Sequence, residues 1–591
     1  MKIIDLLTPN QLDSINKLVK SYGSYNEFEA SIFSNLQTSS HLLTLEKFND
    51  LNSALAKVAS KNVSKYKTEK TQVLDIIMSI KDSNIETKKI TNYRVSIDGL
   101  DTINKYMSML HGRKNHLVIG VLASFYYENK SKSDSKITIM KKTKNVSDYI
   151  TLEDIYTRIK LDTEEDVKDD EIKKLIKIQK YWKSDEYFIR YRFKERTSHY
   201  VLKDKNIFRI DLTTVKSSSI INNIETSSPN YEIEIECEIK DKTKFVQELF
   251  GICEFVIKSI QGSNHIVTKS LTEAVLDKYR ELMMVNKSKT NLHARQPISL
   301  EVQHLVDNLP NKYSVTDKAD GDRGFMIIYD SRCFLISTNL VVRDMGLDVN
   351  KELNNTILDG EFIFLPKYNR YMFMGFDCLM SGDINVRDEV KFSSRLSYLD
   401  KIVYQINKCG YTHKSVYDEK INLNDMNKVL EFHKSNLIDF YADINKELEK
   451  KSTLVIVRRK YFMEATGIQD NEIFKYTWLM WKTITTDPDL KYPYRQDGLI
   501  YHPNEQKYIV EADKSKYSEY KQKPPHMNSL DLYTVFEKDK TTGKVLIVYD
   551  NSVQGTLKNK PYVIANLYCG QFSKGVEKPV LFGDDMSVSQ A

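Results

Sequence analysis

A lysine and several possible partners for phosphate stand close together in the run Lys-Ala-Asp-Gly-Asp-Arg, which extends from Lys318 to Arg323. The amine of Lys318 becomes a nucleophile once it loses its proton, and neighbouring cations and partial burial favour that neutral form. Asp320 offers a carboxylate, Gly321 lets backbone approach a ligand, and Arg323 can contact a phosphate or a sugar. This set suits a lysine that attacks the α-phosphate of a nucleotide.

Four segments further along the chain carry residues suited to the same chemistry. They are ILDGEF at 357–362, YMFMGFDCL at 371–379, QDGLI at 496–500 and KQKP at 521–524. Glu361 and Asp497 are predicted to lie at strand ends, where carboxylates could hold a hard divalent cation beside phosphate oxygens. Lys521 and Lys523 alternate along an extended segment, so both are expected to face one side and to neutralise the phosphate.

The first third of the chain contains segments in which charged residues alternate. In YEIEIE, at 231–236, a period of two puts Glu232, Glu234 and Glu236 on one face. A second Glu-x-Glu pair, a basic alternating segment and the run FRIDLT precede it; their charged and polar members are Glu27, Glu29, Arg192, Lys194, Arg196, Asp211 and Thr213. Strands that each have one charged face are typical of a small closed β-barrel with a polar lumen. A solvent-facing sheet surface is the alternative for the acidic strand taken alone.

The five C-terminal segments resemble, in order, motifs I, III, IIIa, IV and V of the covalent nucleotidyltransferases, which comprise the mRNA capping guanylyltransferases and the DNA and RNA ligases. The resemblance implies that Lys318 takes up a nucleoside monophosphate as a phosphoramidate. It also implies nucleotide-binding roles for Asp320, Arg323, Glu361, Asp377, Asp497, Lys521 and Lys523, with Asp320 on the sugar or the metal. The aspartate that begins motif IV, and the similarity of Asn528 to Asp531 to a segment of capping enzymes, favour capping. Gln522 and Leu532 depart from the usual pattern.

The N-terminal order of acidic pair, basic strands, IDLT and acidic strand resembles the tunnel-type, metal-dependent RNA 5′-triphosphatases. The resemblance implies that Glu27, Glu29, Glu232 and Glu234 are catalytic metal ligands, with Glu236 joining through water. It implies a triphosphate site formed by Arg94, Lys160, Arg192, Lys194, Arg196 and Asp211, with Thr213 in support and either Lys141 or Lys142 as a further contact. The expected cofactor is Mg²⁺ or Mn²⁺, and the expected chemistry is attack of water on the γ-phosphorus.

The whole chain is similar to the front portion of the large mRNA capping enzymes of giant nucleocytoplasmic DNA viruses. That similarity implies an α+β protein in three parts. Residues 1–261 would form a β-tunnel triphosphatase domain, 262–529 a two-sheet, ATP-grasp-like guanylyltransferase domain, and 530–591 a partial OB-fold that lacks motif VI. Helices are predicted at 245–260, 272–284 and 425–451, and the segment 163–182 has a helical pattern typical of a solvated insertion.

The expected function is therefore mRNA cap formation. The γ-phosphate of 5′-triphosphate RNA would be hydrolysed, and GMP from GTP would then pass through lysyl-GMP to the diphosphate end. A cap methyltransferase domain or subunit and the viral RNA polymerase are the expected partners. Two alternatives stay open: a polynucleotide ligase that uses lysyl-AMP, and an RNA-binding capping fragment impaired in catalysis.

Composition narrows the setting of that function. The chain has 87 Lys and Arg residues against 81 Asp and Glu, so any affinity for RNA should come from local basic surfaces rather than from net charge. The six cysteines show no Cys-x-x-Cys spacing and are expected to be reduced thiols. No apolar run approaches the roughly 18 residues of a membrane span, so no membrane association is expected. The expected location is the virion or the host cytoplasm, at the viral factory.

Overall fold

The structure is a computed structural model. It describes residues 2–23, 26–33, 43–61, 66–81, 90–110, 125–126, 128, 136–143, 149–167, 187–224, 227–307, 309, 312–407, 411–417, 419–450, 454–511, 515–524, 532–539, 543, 545–549, 561–573 and 576–582. The capping-like segment Asn528 to Asp531, most of the predicted insertion at 163–182, and Cys409 lie outside the described residues.

The N-terminal part is dominated by long antiparallel strands. These are β1 (Asn26–Ile32), β2 (Tyr66–Lys81), β3 (Ile90–Asp98), β4 (Ile137–Thr143), β5 (Tyr149–Leu152), β6 (Thr157–Asp166), β7 (Tyr187–Lys203), β8 (Asn206–Ser218) and β9 (Asn230–Glu238). The helices are α1 (Pro9–Ser21), α2 (Leu45–Lys61), α3 (Leu100–Leu110) and α4 (Lys242–Gln261).

These strands close into a barrel. The sheet has the order β1-β9-β8-β7-β2-β3-β4-β6-β5, and β1 pairs with β6 as well as with β9. Eight strands therefore form an unbroken ring, and β5 extends β6 on the β4 side. A barrel of about eight strands has an interior that side chains fill or that holds one small ligand. The predicted tunnel is thus present as a closed antiparallel barrel.

Alternation along the strands separates a polar lumen from apolar outer layers. On β1, Phe28 and Ala30 join a buried core with α1, α2 and α4, and on β9 Ile233 and Ile235 do the same. The glutamates between them point to the other side of the sheet. A second core packs α3 against β2 and β3. The apolar face of each strand is therefore covered by helices, which leaves the charged face for the lumen.

The second part contains two further sheets. Its strands are β10 (Ile298–Ser299), β11 (Tyr313–Ala319), β12 (Asp322–Tyr329), β13 (Arg332–Ser337), β14 (Val342–Asp348), β15 (Thr356–Leu365), β16 (Arg370–Ser381), β17 (Ile384–Asn385), β18 (Val455–Arg459), β19 (Met463–Glu464), β20 (Gln496–Pro503) and β21 (Tyr520–Gln522). Its helices are α5 (Lys269–Met283), α6 (Val302–Asp307), α7 (Phe392–Asn407), α8 (Met426–Glu449) and α9 (Glu472–Thr486).

One sheet has the order β10-β21-β20-β11-β19, and the other has the order β14-β13-β12-β15-β16-β17 with β18 paired to β16. A single apolar core takes residues from both sheets and from α8 and α9. The predicted two-sheet architecture agrees with this arrangement. The strands after it are β22 (Tyr533–Phe536), β23 (Ile547–Tyr549), β24 (Pro561–Val563), β25 (Ala565–Ser573) and β26 (Val576–Leu581), in one three-stranded and one two-stranded sheet. The OB-fold and the three domain boundaries stay predictions.

The three predicted helices are confirmed as α4, α5 and α8, each within a few residues of the expected ends. Two other predictions are wrong. The helical pattern from Thr163 does not hold at its start, because Thr163–Asp166 pairs with β4 and so belongs to strand β6. Glu361 does not lie at a strand end, because β15 continues past it to Leu365, paired to β16.

Candidate active sites

The ammonium group of Lys318 lies against the carboxylate of Asp497. Lys318 is the penultimate residue of β11, and its Nζ is 2.5 Å from Asp497 Oδ2 on β20. Lys523 Nζ reaches the same oxygen at 2.9 Å. Burial alone would raise the pKa of Asp497, but the hydrogen bonds from the two lysines outweigh it and hold that pKa below its ordinary value. One carboxylate therefore holds both the expected nucleophile and one expected phosphate-binding lysine.

A bulge brings that carboxylate to Lys318. In the β11–β20 ladder Asp317 pairs with Leu499, whereas Ala319 pairs with Gln496, so β20 has an extra residue opposite Lys318. Bulges of this kind turn a side chain in a new direction. Gly498 makes the bulge possible: its φ is +126°, and a Cβ atom there would lie 2.0 Å from the carbonyl oxygen of Gln522. Only glycine allows β20 and β21 to approach so closely.

Glu361 has a buried partner that the motifs did not identify. Lys460, directly after β18, donates to Glu361 Oε2 at 3.1 Å and to the backbone carbonyl of Asp317 at 3.0 Å. Burial alone would lower the pKa of Lys460, but the charges of Glu361 and Asp317 raise it above its ordinary value. The sequence signal was the charged run Arg-Arg-Lys that follows the apolar strand at 455–457.

Asp320 and Lys521 lie at the accessible edge of this region. Asp320 is more than half exposed, and Arg495 NH1 is 3.8 Å from its Oδ2. Lys521 is half-buried on β21 and pairs with Ile500 of β20. Both side chains are placed where a ligand could reach them, and their roles stay predictions.

Arg323 and Asp377 are engaged in buried ion pairs instead. Arg323 donates to both carboxylate oxygens of Asp359, at 3.2 and 2.7 Å. Asp377 accepts from Arg395 at 2.8 and 3.1 Å and from Arg295 at 2.9 Å, and it has no exposed surface. These contacts satisfy both groups within the protein. The structure therefore shows a packing role for each, and their predicted contact with nucleotide stays untested.

The lumen of the barrel brings the predicted glutamates together. Register places Glu29 opposite Glu236 on β9 and opposite Lys160 on β6, and Glu27 lies opposite Asp162. Glu29 Oε2 is 2.8 Å from Lys160 Nζ. Burial and the nearby charge of Glu234 raise the pKa of Glu29 to about 7, against the opposing effect of Lys160.

Glu236 also has a raised pKa. Burial raises its pKa to about 7, because the repulsion of Glu27 and Asp211 adds to burial and Arg209 only partly compensates. Carboxylates that share a site in this way favour a proton or a metal ion between them.

Predicted basic residues on β7 meet carboxylates in the lumen. Arg192 donates to both oxygens of Glu232, at 2.6 and 2.7 Å. Lys194 Nζ is 2.6 Å from Asp75 Oδ2. Alternate cations and anions therefore line the barrel wall.

Arg196 and Arg209 share Asp211, which is fully buried. Arg196 NH1 is 3.1 Å from Asp211 Oδ2, and its NH2 is 3.9 Å from Glu234. Arg94 lies on β3 among this group, since its charge contributes to the lowered pKa of Asp75. Lys141 pairs with Tyr93, which packs in the outer core, so the register does not put Lys141 on the lumen face.

Similarity to known proteins covers both parts of the chain. A family model described as the catalytic domain of mRNA capping enzyme matches residues 260–428. A probable mRNA-capping enzyme of Acanthamoeba polyphaga mimivirus is 30% identical over 591 residues, which cover 98% of this chain and 46% of that protein. This chain is similar to viral mRNA capping enzymes. The resemblance indicated by the motifs is therefore confirmed.

Two further likenesses cover parts of the chain. An mRNA-capping enzyme of African swine fever virus (isolate Warthog/Namibia/Wart80/1980) is 28% identical over 199 residues, 32% of this chain and 22% of its own length. The solved RNA triphosphatase domain of a trifunctional mimivirus mRNA capping enzyme is 25% identical; the match covers 43% of this chain and 99% of that domain, with a TM-score of 0.31. The chain spans about half the length of its mimivirus relative.

The lumen of the barrel suits a divalent cation in the chemistry of its donor atoms. Glutamate oxygens are ligands that Mg²⁺ and Mn²⁺ prefer. The pKa values of Glu29 and Glu236 are raised first by burial and then by neighbouring carboxylates, whose charge a cation would offset. Among the described residues, however, no three His, Cys, Asp or Glu side chains are grouped so that they could hold a metal ion. Lys160, Arg192 and Arg209 hold carboxylates that would have to turn towards the ion.

Sequence reasoning missed Asp75 and Arg209 as lumen residues. Asp75 lies in the middle of the long strand β2, and Arg209 is the second residue of the FRIDLT run, two positions before Asp211. The period of two was the available signal in both cases. Five cysteines are free thiols, four of them buried, as expected for that part of the chain that is described. No described helix has the length and apolar character needed to cross a membrane.

Proposed function

We propose that this chain carries out the first two steps of mRNA cap formation. The barrel would hydrolyse the γ-phosphate of 5′-triphosphate RNA, and Lys318 would then carry GMP from GTP to the resulting diphosphate end. The observation that carries the proposal is the contact of Lys318 with Asp497 and, through it, Lys523. It places a lysine nucleophile, a carboxylate and a second cation at one point. Lysyl-phosphate formation needs a free amine and neutralised phosphate charge, and these residues can supply both.

The structure around Lys318 indicates how its own residues would act. Asp497 holds the amine of Lys318 in an ion pair, with Nζ and Oδ2 2.5 Å apart. If Asp497 turned to another partner when substrate binds, the amine would be released from that pair. Lys318 can then lose its proton, attack the α-phosphorus and expel diphosphate. Lys523 and Lys521 would stay beside the phosphate oxygens as charge develops there.

In the barrel, the basic and the acidic residues would have different tasks. Arg192, Lys194 and Arg196 would hold the phosphates, since each already binds a carboxylate in the position that a phosphate oxygen could take. Glu27, Glu29, Glu232 and Glu234 would hold Mg²⁺ or Mn²⁺, with Glu236 orienting water. A divalent cation bound there would supply charge neutralisation at the phosphates and a water of lowered pKa.

The remaining features are proposed on the resemblance. We place the domains at 1–261, 262–529 and 530–591, the last as a partial OB-fold. Partners would include a cap methyltransferase domain or subunit and the viral RNA polymerase, and the chain would act in the virion or in the host cytoplasm at the viral factory.

Covalent label transfer tests the second step. The protein is incubated with α-labelled GTP and Mn²⁺, with α-labelled ATP in parallel. We expect acid-labile label from GTP only, lost in Lys318→Ala and kept in Lys278→Ala, which changes a partly exposed lysine on α5 that pairs with Glu281. Label from ATP instead would make the chain a ligase.

Release of phosphate from γ-labelled triphosphate RNA tests the first step. Glu29→Ala should abolish release without affecting the label on Lys318. Metal-independent RNA binding with neither activity would favour the impaired fragment.

A further inference from the structure

We propose that Asp317 is a positioning residue which sets the distance between Lys318 and Asp497, and that it acts through Tyr492 and Tyr494. This inference rests on the proposed function of Lys318 and names the residue that holds its site together. Asp317 belongs to none of the motif positions that the sequence identified.

Asp317 faces the opposite side of β11 from Lys318. It is fully buried, on the same face as Tyr313 and Val315, which belong to the core shared by the two sheets. A carboxylate in such a position is costly unless it is well hydrogen-bonded.

Three tyrosine hydroxyls meet that requirement for Asp317. Tyr441 donates to Oδ1 at 3.1 Å, and Tyr492 and Tyr494 donate to Oδ2 at 2.7 and 2.9 Å. Tyr441 and Tyr494 are also 3.1 Å apart at their hydroxyls. The result is a closed polar network inside an apolar core, and such networks fix one arrangement of the chain segments that they join.

The tyrosines belong to two different segments. Tyr441 is on α8, whereas Tyr492 and Tyr494 lie in the stretch that leads into β20, directly before Asp497. Asp317, which directly precedes Lys318, therefore holds the segment that leads to Asp497 through its hydrogen bonds with Tyr492 and Tyr494. Because the β11–β20 ladder is bulged between Asp317 and Ala319, backbone pairing alone does not fix this spacing.

A third segment is tied to the same residue. Lys460 donates to the carbonyl oxygen of Asp317 at 3.0 Å and to Glu361 at 3.1 Å, and its Nζ is 3.8 Å from Asp317 Oδ2. The strand that carries Lys318, the segment that carries Asp497 and the strand that carries Glu361 thus meet at Asp317. Loss of the tyrosine contacts should loosen the ion pair between Lys318 and Asp497 while the fold remains.

The test measures the ion pair without any nucleotide. The full chain is treated with a limiting amine-modifying reagent across pH 7 to 10, and the rate of modification of Lys318 is followed by peptide mass spectrometry. The variants are Tyr492→Phe and Tyr494→Phe, with Tyr441→Phe as the matched control, since it removes a hydrogen bond to the same carboxylate but leaves the approach to Asp497 attached. Thermal unfolding is measured for each variant.

We expect Lys318 to be modified about three- to tenfold faster at pH 8 in Tyr492→Phe and Tyr494→Phe than in wild type, because an amine that is released from its contact with Asp497 is more open to the reagent. Guanylylation by GTP should fall in the same variants. Tyr441→Phe should leave the rate of modification unchanged.

An unchanged rate in all three variants, or an equal rise in all three, would overturn the positioning role. If the rate rises as expected but no variant and no wild-type protein accepts GMP, the positioning role stands and the proposed guanylyltransferase function fails. Asp317→Asn offers a second perturbation: its amide oxygen can still accept from Tyr492 or Tyr494 but carries no charge, so its rate should lie between wild type and Tyr492→Phe.

Discussion

Replacement of Glu29 by glutamine tests whether the negative charge of this buried carboxylate destabilises the barrel. Burial and the charge of Glu234 raise the pKa of Glu29 from 4.5 to about 7. A carboxyl group whose pKa is raised in the folded state stabilises the fold most below its unfolded value and loses that contribution as pH rises through the folded value. The stability of wild type should therefore decline between about pH 4.5 and pH 7.

The size of the decline follows from the shift. One pKa unit corresponds to about 1.4 kcal/mol, so the shift of Glu29 corresponds to at most about 3 kcal/mol. Glu29→Gln does not titrate and avoids this cost, although it leaves Lys160 without its partner at 2.8 Å. We expect the variant to gain roughly 1 to 3 kcal/mol over wild type between pH 5 and pH 8.

Hydrogen exchange of β1 amides measures this locally, which avoids assuming that the whole chain unfolds in one step. Peptides covering Asn26–Ile32 are compared between wild type and variant at pH 5 and at pH 8, so that intrinsic exchange rates cancel at each pH. Glu238→Gln serves as the control, because Glu238 is exposed and pairs only with Lys240 at the surface. A difference between Glu29→Gln and wild type that is the same at both pH values would refute the reasoning, as would a difference that favours the variant more at pH 5 than at pH 8.

Three further outcomes are expected from thermal unfolding of the full chain. Gly498→Ala should cost more than about 2 kcal/mol, since a Cβ would meet a backbone carbonyl at 2.0 Å where φ is +126°, and an unchanged melting temperature would contradict this close approach. Asp377→Asn should cost about 3 to 5 kcal/mol by leaving Arg295 and Arg395 buried beside an uncharged amide. An unchanged melting temperature would mean that water reaches these arginines, in contradiction to their burial. Lys194→Met should destabilise the fold most at pH 7 and least below pH 4. Lys194 holds the pKa of Asp75 low against the effect of burial, so the stability contributed by this ion pair is lost as pH falls. A loss of stability that does not depend on pH would rule out this ion pair as the cause.

The strands of the barrel could be predicted because their signal is local. In β7 and β9 a charged residue recurs at every second position, and period two is enough to assign a strand with one charged face. The closure of the ring could not be predicted in the same way. It depends on β1 pairing with β6, whose residues are far apart in the chain, and the start of the 163–182 segment was assigned to a helix for that reason.

In the site around Lys318, too, residues in local motifs could be predicted and residues brought in by strand pairing could not. Lys318, Asp497 and Lys523 were predicted from their motifs, and the structure joins them within one hydrogen-bonded group. Lys460 was missed because its partner Glu361 is on a strand that pairs with β16, and β18 reaches it only through a parallel pairing with β16. Partners that depend on strand order and register are not visible in residue spacing.

Ion pairing in both sites also implies how substrate and cation should bind. Lys318 is held by Asp497, Glu29 by Lys160, and Arg192 by Glu232. A phosphate that takes the cation of such a pair leaves a carboxylate without its partner in a largely buried place, and a metal ion that takes the carboxylate leaves the lysine or arginine in the same position. Either event alone therefore incurs the cost of an uncompensated charge. When both bind, every charge has a partner again, so phosphate and divalent cation should each increase the affinity for the other.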